Sequence, residues 1–347
     1  MSLGKRLIAT DAAGGIVGTD NFNTVTYIGN GGTQAITTVG FQPDFVWIKT
    51  RSDIGGSNHF LFDSIRGATN RVFSNLINNE AADADSLTSF NSNGFTVDDD
   101  ISCNGSGESI VAWNWKAAAS NATNNDGTTT STVRANTAAG FSIVKFAATN
   151  TSIQVGHGLT ASPNLIIYKN LDTADNWYVY HSGLTSPNTQ WLKLNSQDAV
   201  VTSGTYNFSA VTSSTFTSHL WAGAGSNDII AYCFADISNY QKIGTYNGSG
   251  SAGKRVYTDS NGDGTGTGGF QPRFVLIKCT TNGSTDWLIF TSNVVDGSGN
   301  PTMIRANTTD SEFTGDRLQF TSDGFTLSDN DGSRNGSSRT YLYWAIA

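Results

Sequence analysis

The sequence predicts an all-β fold of three tandem β-sandwiches behind a short N-terminal arm. Two features of composition and one of order predict it. Of 347 residues, 38 are Ser, 43 Thr, 33 Asn and 38 Gly, and only 14% are charged. Glu occurs only at Glu80, Glu108 and Glu312, so long helices lack one of their usual formers. Yet 11% of residues are aromatic, with eight Trp, too rich for disorder. Small polar residues mixed with aromatic and β-branched ones make short strands and many turns.

The feature of order is repetition. Gly40-Phe41-Gln42-Pro43-Asp44-Phe45-Val46-Trp47-Ile48-Lys49 returns as Gly269-Phe270-Gln271-Pro272-Arg273-Phe274-Val275-Leu276-Ile277-Lys278. Between them lies the divergent copy Ala161-Ser162-Pro163-Asn164-Leu165-Ile166-Ile167-Tyr168-Lys169, and the prolines stand 120 and 109 residues apart. An aromatic strand follows each string, at 59–63, 177–181 and 287–290. Next come Asn93-Gly94-Phe95-Thr96-Val97, Ser213-Ser214-Thr215-Phe216-Thr217 and Asp323-Gly324-Phe325-Thr326-Leu327. Each copy closes on an apolar strand, at 110–115, 229–234 and 341–345.

A period of this length suits one sandwich of about 100 residues rather than a solenoid repeat. The boundaries are an arm at 1–20, repeat 1 at 21–117, a polar linker at 118–131, repeat 2 at 132–236 and repeat 3 at 237–347. Pro before each central strand fixes φ where no ladder donor is needed. Gly before Phe permits the turn that swings an aromatic ring into the core. Phe45-Val46-Trp47-Ile48 is apolar on both faces, which predicts a central strand covered on both sides. The closing strand of repeat 3 is expected to tie the end of that repeat into a sheet.

Charge and cysteine content narrow the function. Net charge is −8, and the 20 Lys and Arg form no basic stripe, so nucleic acid is not an expected partner. No apolar run approaches the 18 or so residues of a membrane helix, and membrane insertion is not expected. Cys103, Cys233 and Cys279 cannot all pair and contain no CxxC, which fits buried thiols in a chain folded in a reducing cytoplasm. The three apolar residues after Lys5-Arg6 are too few for a secretory signal, which needs about 7–15.

No catalytic residue is nominated. The Glu residues are isolated, Asp98-Asp99-Asp100 reads as a solvated turn, and His59, His157, His181 and His219 lack metal-ligand spacing. The chain is therefore expected to be non-enzymatic and to need no cofactor. A calcium loop is the sharpest candidate: Asp259, Asn261 and Asp263 fit the first half of D-x-[DN]-x-[DN]-G, although Phe270 stands where the bidentate Glu belongs. Trp177 pairs with Trp287 at one landmark and reads as core. Trp191 and Trp221 have no counterparts in the other repeats and are the candidates for stacking on a sugar ring.

Several strings together resemble a known family. They are the Gly40–Lys49 string with Arg51; His-x-Leu-Phe-Asp-Ser-x-Arg-Gly at 59–67; Ser-Phe-Asn-Ser-Asn-Gly-Phe-Thr at 89–96; Val-Ala-Trp-x-Trp-Lys-Ala at 111–117; and the opening Lys5-Arg6-Leu7-Ile8-Ala9-Thr10. They resemble a repeated domain in virion proteins of marine tailed bacteriophages, including those of cyanobacteria. The likeness covers repeat 1 closely, repeat 3 in part and repeat 2 only in skeleton. It implies a concanavalin-A-like jelly roll and a structural or host-attachment role in a virion made in the host cytoplasm and released by lysis. The arm, with Lys5, Arg6, Leu7 and Ile8, is then the expected anchor to other virion proteins. The expected assembly is a homo-oligomer, a trimer favoured, and the expected outward partner is a host surface glycan or protein. A tail or neck fibre-like appendage leads, a head decoration or capsid fibre comes next, and a surface-glycan depolymerase is the enzymatic alternative.

Overall fold

The computed structural model describes residues 18–52, 56–149, 151–203, 208–219, 226–259, 261 and 263–347. These form an all-β protein with one short α-helix, Ile101–Asn104, and one 3-10 turn, Gly18–Asp20, and every ladder between strands is antiparallel. Each repeat builds one large and one small sheet with the same strand order. In repeat 1 the large sheet runs Phe22–Ile28, Ser109–Trp115, Phe45–Thr50, Phe60–Asp63, Gly67–Phe73, Ala81–Ala82. Opening and closing strands thus lie side by side, and the central strand flanks the closing one. Repeat 2 places Phe141–Ala148, Asn227–Phe234 and Leu165–Asn170 in these positions, and repeat 3 places Gln241–Asn247, Thr340–Ile346 and Phe274–Cys279. The end of repeat 3 is therefore tied into its sheet, as its closing strand foretold.

Period-two alternation sends each central and closing strand two ways. Val46 and Ile48, with Ile110 and Ala112, join Phe95 and Val97 of the small sheet in a core private to repeat 1. Phe45, Trp47, Val111, Trp113 and Trp115 point the other way. Leu165, Ile167, Tyr232 and Phe234 of repeat 2 and Phe274, Leu276, Trp344 and Ile346 of repeat 3 meet them there. The three large sheets therefore face one another across a common core. Trp344 stacks on Trp115 at 5.6 Å, lies 4.2 Å from Phe234 and 5.2 Å from Phe274, measured between ring centroids. Trp177 and Trp287 are fully buried in the same core, as their shared landmark predicted.

Two expectations need correction. The stretch 118–131 is not a free linker: Ala122–Asn124 pairs with Ser131–Asn136 and extends the large sheet of repeat 2. Backbone pairing does not need apolar side chains, and Ser131 is buried with its hydroxyl on the Gly156 carbonyl at 2.7 Å. Asp100 is not a solvated turn residue. Its carboxylate accepts the Ser102 and Cys103 amides at 2.8 and 3.2 Å, capping the short helix, and pairs with Arg71 at 3.0 Å. At the Gly-Phe landmark the backbone also comes close to a neighbouring strand. A Cβ on Gly94 would lie 1.8 Å from the Ile36 carbonyl oxygen, and one on Gly324 would lie 2.0 Å from that of Val256.

Candidate functional site

The strongest built polar feature is a cycle of contacts joining the repeats. The third inward-facing residue of each central strand is a lysine: Lys49, Lys169 and Lys278. Each ammonium passes the apolar layer and bonds one carbonyl of its own repeat and one of a neighbour. Lys49 donates to Ser57 and, in repeat 3, Thr309 at 2.9 and 3.2 Å. Lys169 donates to Asp175 and, in repeat 1, Ile77 at 2.8 and 3.0 Å. Lys278 donates to Thr285 and, in repeat 2, Gln197, the latter at 3.1 Å. Burial pushes all three ammonium groups down to about 8.

A second cycle runs beside the first. The strand register makes His59, Trp177 and Trp287 equivalent. Trp177 Nε1 donates to the Phe73 carbonyl at 2.7 Å and Trp287 Nε1 to that of Lys193 at 2.8 Å. His59 Nδ1 accepts from Trp47 Nε1 at 2.8 Å, so its proton sits on Nε2, which reaches the Arg305 carbonyl at 2.9 Å. Burial holds the His59 imidazole well below its usual range, in keeping with that neutral tautomer. Repeat 1 thus reaches repeat 3, repeat 2 reaches repeat 1, and repeat 3 reaches repeat 2.

Between repeats 1 and 2 lies a buried ionic cluster. Arg66 Nε pairs with Asp63 at 2.5 Å, and Tyr232 donates its phenol to the same carboxylate at 2.8 Å. Between repeats 3 and 1, Arg51 forms a two-pronged pair with Glu312 at 2.9 and 3.0 Å. Arg273 donates to the Ala347 carbonyl at 2.7 Å and to that of Phe22 at 3.4 Å, drawing the end of repeat 3 to the start of repeat 1.

A surface cleft of about 420 Å³ opens in repeat 3, between the turn at 236–242 and the loop leading from Thr258 to Phe270. Asp236 pairs with Lys242 at 2.5 Å on one wall, Asp259 stands on the other, and Ile237 and Phe270 supply apolar surface. Its volume falls within the range of small-molecule sites, about 300–1,000 Å³.

The candidates drawn from sequence fare unequally. Trp191 is not an exposed platform: it is buried, edge-on to Tyr178 at 5.0 Å, with the Lys193 ammonium 5.9 Å from its ring. Its strand pairs on both sides, with Tyr178–His181 and with Val201–Thr202, and the same sheet face carries Tyr178 and Lys193 against the ring. Trp221 and the anchor candidates Lys5, Arg6, Leu7 and Ile8 lie outside the described residues. Asp259 and Asp263 turn their carboxylates onto their own loop: Asp259 accepts the Asn261 amide at 3.1 Å, and Asp263 accepts the amide and hydroxyl of Thr265 at 2.9 and 2.8 Å. Among the described residues, no three His, Cys, Asp or Glu side chains gather as a metal-binding group. Nor is any helix among them long and apolar enough to cross a membrane. The three cysteines are free and buried.

Composition alone hid the lysine cycle, because lysine reads as a surface residue. The signal was nevertheless present, as one lysine at the same place in three apolar strings. The family model of a domain of unknown function (DUF7483) matches residues 17–347, spanning all three repeats as a unit. No curated protein and no solved structure matches the chain.

Proposed function

The chain belongs to the family of that domain of unknown function, and from its geometry we propose a non-enzymatic structural component of a bacteriophage virion, a tail or neck fibre-like appendage that contacts the host surface. The observation that carries the reading is the common core: one chain holds three similar sandwiches in a closed cycle, each keeping its small sheet on the outside. Such a body presents three related surfaces in fixed relation, and linked weak sites gain avidity without new contacts. The large and small sheets of each repeat support a jelly-roll, concanavalin-A-like assignment. The proposed anchor to other virion proteins is the arm at 1–20. A homotrimer would multiply the three internal surfaces again, and light scattering on the purified chain distinguishes one copy from three.

The test is immunogold electron microscopy of purified particles with antibody to the recombinant chain. Label on the tail or neck supports attachment. Label spread over the head replaces it with head decoration. Absence of label on intact particles, with an antibody proven on denatured ones, overturns the surface role.

A further inference from the structure

Repeat 3 departs from its siblings in one loop, and the departure builds the cleft. Ile36, Val155 and Val256 pair with Phe95, Phe216 and Phe325, which makes Thr38, His157 and Thr258 equivalent. From these positions the chain takes five residues to reach Pro43 and six to reach Pro163, but fourteen to reach Pro272. The excess is made of Asp, Ser, Asn, Thr and Gly, too polar to pack a core. Where one copy of a repeat carries an insertion on a common frame, the added loop is free of the frame's packing duties and often serves binding.

The base of this loop is closed by Thr258 and Phe270. Thr258 Oγ1 donates to the Phe270 carbonyl at 2.7 Å and accepts the Phe270 amide at 2.8 Å. Asp259 Oδ1 accepts the Asn261 amide at 3.1 Å, while Oδ2 occupies the space where a Cβ on Gly266 would sit. Asp259 stands in the lining of the cleft. Across from it, the Asp236–Lys242 pair offers an acceptor and a donor side by side. Two carboxylates, Asp236 and Asp259, against one ammonium, Lys242, disfavour an anion. Hydrogen-bonding groups of both kinds around apolar surface from Ile237 and Phe270 match a ring with hydroxyls at its edge and C–H bonds on its face.

We propose that this cleft binds a saccharide ring, with hydroxyls taken by Asp259 and the Asp236–Lys242 pair and the C–H face set against Ile237 and Phe270. The proposal deepens the attachment reading and rests on it, placing a sugar contact on repeat 3. The experiment is saturation-transfer NMR on the full chain with glucose, galactose, mannose, rhamnose and N-acetylglucosamine at millimolar concentration. One variant is Asp259→Asn, which keeps the acceptor for Asn261. The other replaces 259–268 with a single valine, giving repeat 3 the Thr-Val-Gly-Phe loop of repeat 1. Unchanged near-ultraviolet circular dichroism confirms that both are folded. The expected result is transfer to at least one sugar, binding weakened about tenfold or more by Asp259→Asn, and no transfer to the short-loop protein. Transfer to none of the sugars, or undiminished transfer to the short-loop protein, overturns the proposal. The assay needs no particle, so the two failures separate: a chain that labels tails yet takes no sugar loses only the saccharide, and a sugar-binding chain that labels no particle loses the attachment reading.

Discussion

Repeats 1 and 2 are joined by a strand-forming connector and by the Asp63–Arg66–Tyr232 cluster, whereas repeats 3 and 1 share no connecting chain. The unlinked joint is nevertheless densely bonded. It holds the Arg51–Glu312 pair, the Arg273 clasp, Trp113 Nε1 on Thr291 Oγ1 at 2.9 Å and Asn293 Nδ2 on the Thr24 carbonyl at 2.9 Å. Both joints also use the same lysine position and the same His or Trp position, each reaching a carbonyl of the neighbour. Covalent connection is therefore incidental to how the repeats adhere. What differs is the principal ion pair, which is fully buried at the linked joint (Arg66–Asp63) and part-exposed at the unlinked one (Arg51–Glu312).

The most severe way to break this symmetry is at its centre. Trp344→Ala removes a ring that touches repeats 1 and 2 as well as its own, and is expected to cost about 3–5 kcal/mol. Calorimetry should show the whole protein melting lower in one transition. A transition in which only a third of the enthalpy moves would mean that the repeats fold separately. Next, the two joints can be set against each other. Arg66→Met leaves Asp63 buried without its cation and should cost about 3 kcal/mol or more in urea denaturation. Arg51→Met acts on a pair that keeps 16% and 21% of its side-chain exposure and should cost about 1 kcal/mol. Equal losses would refute the contrast between the joints.

Acidity tests the buried imidazole and ammonium groups. Burial lowers His181 to about 4 and also lowers His59 and His157, so the unfolded chain binds more protons as pH falls below 6.5. Stability should therefore drop as pH is taken from 6.5 towards 4. The lysines act at the other end: with folded values near 8 against 10.5 unfolded, stability should rise as pH climbs between those values. Urea midpoints measured across both windows check the two slopes, and Lys→Met at 49, 169 and 278 together should flatten the alkaline one. The smallest expected effect is local. Arg273→Met loosens the clasp, and hydrogen exchange should quicken in Phe22–Ile28 with little change in melting temperature.

Much of the frame was legible in the sequence because it rests on local rules. The doubly apolar string 45–48 announced a strand covered on both sides, and the ordered landmarks fall on strands at matching places in the sheets. What covers the second face was not legible. The meeting of Trp115, Phe234 and Trp344 joins residues more than 100 positions apart, and no periodicity encodes that. The stretch 118–131 misled because an edge strand of Thr and Asn shows no alternation. Trp191 misled because lack of a counterpart was read as exposure, whereas Tyr178 and Lys193 pack against the ring and it is buried. Of the cleft, only Asp259 and its loop neighbours stood out, and they stood out as metal ligands. Their physical signal was the extra length of one loop against the other two, which compares repeats rather than matching a motif.

The meeting of the described chain's two ends has a mechanical consequence. A Cβ on Gly18 would lie 2.7 Å from the Ala347 carbonyl oxygen, so the path returns to its origin. Tension applied through both ends would fall on the unlinked joint alone and peel it open bond by bond, beginning at Arg273. Tension spread over the outer loops of the three repeats would instead load three joints in parallel, and none could yield before its neighbours took up the strain. A body of this kind is weak to a pull at its seam and strong to a pull on its rim.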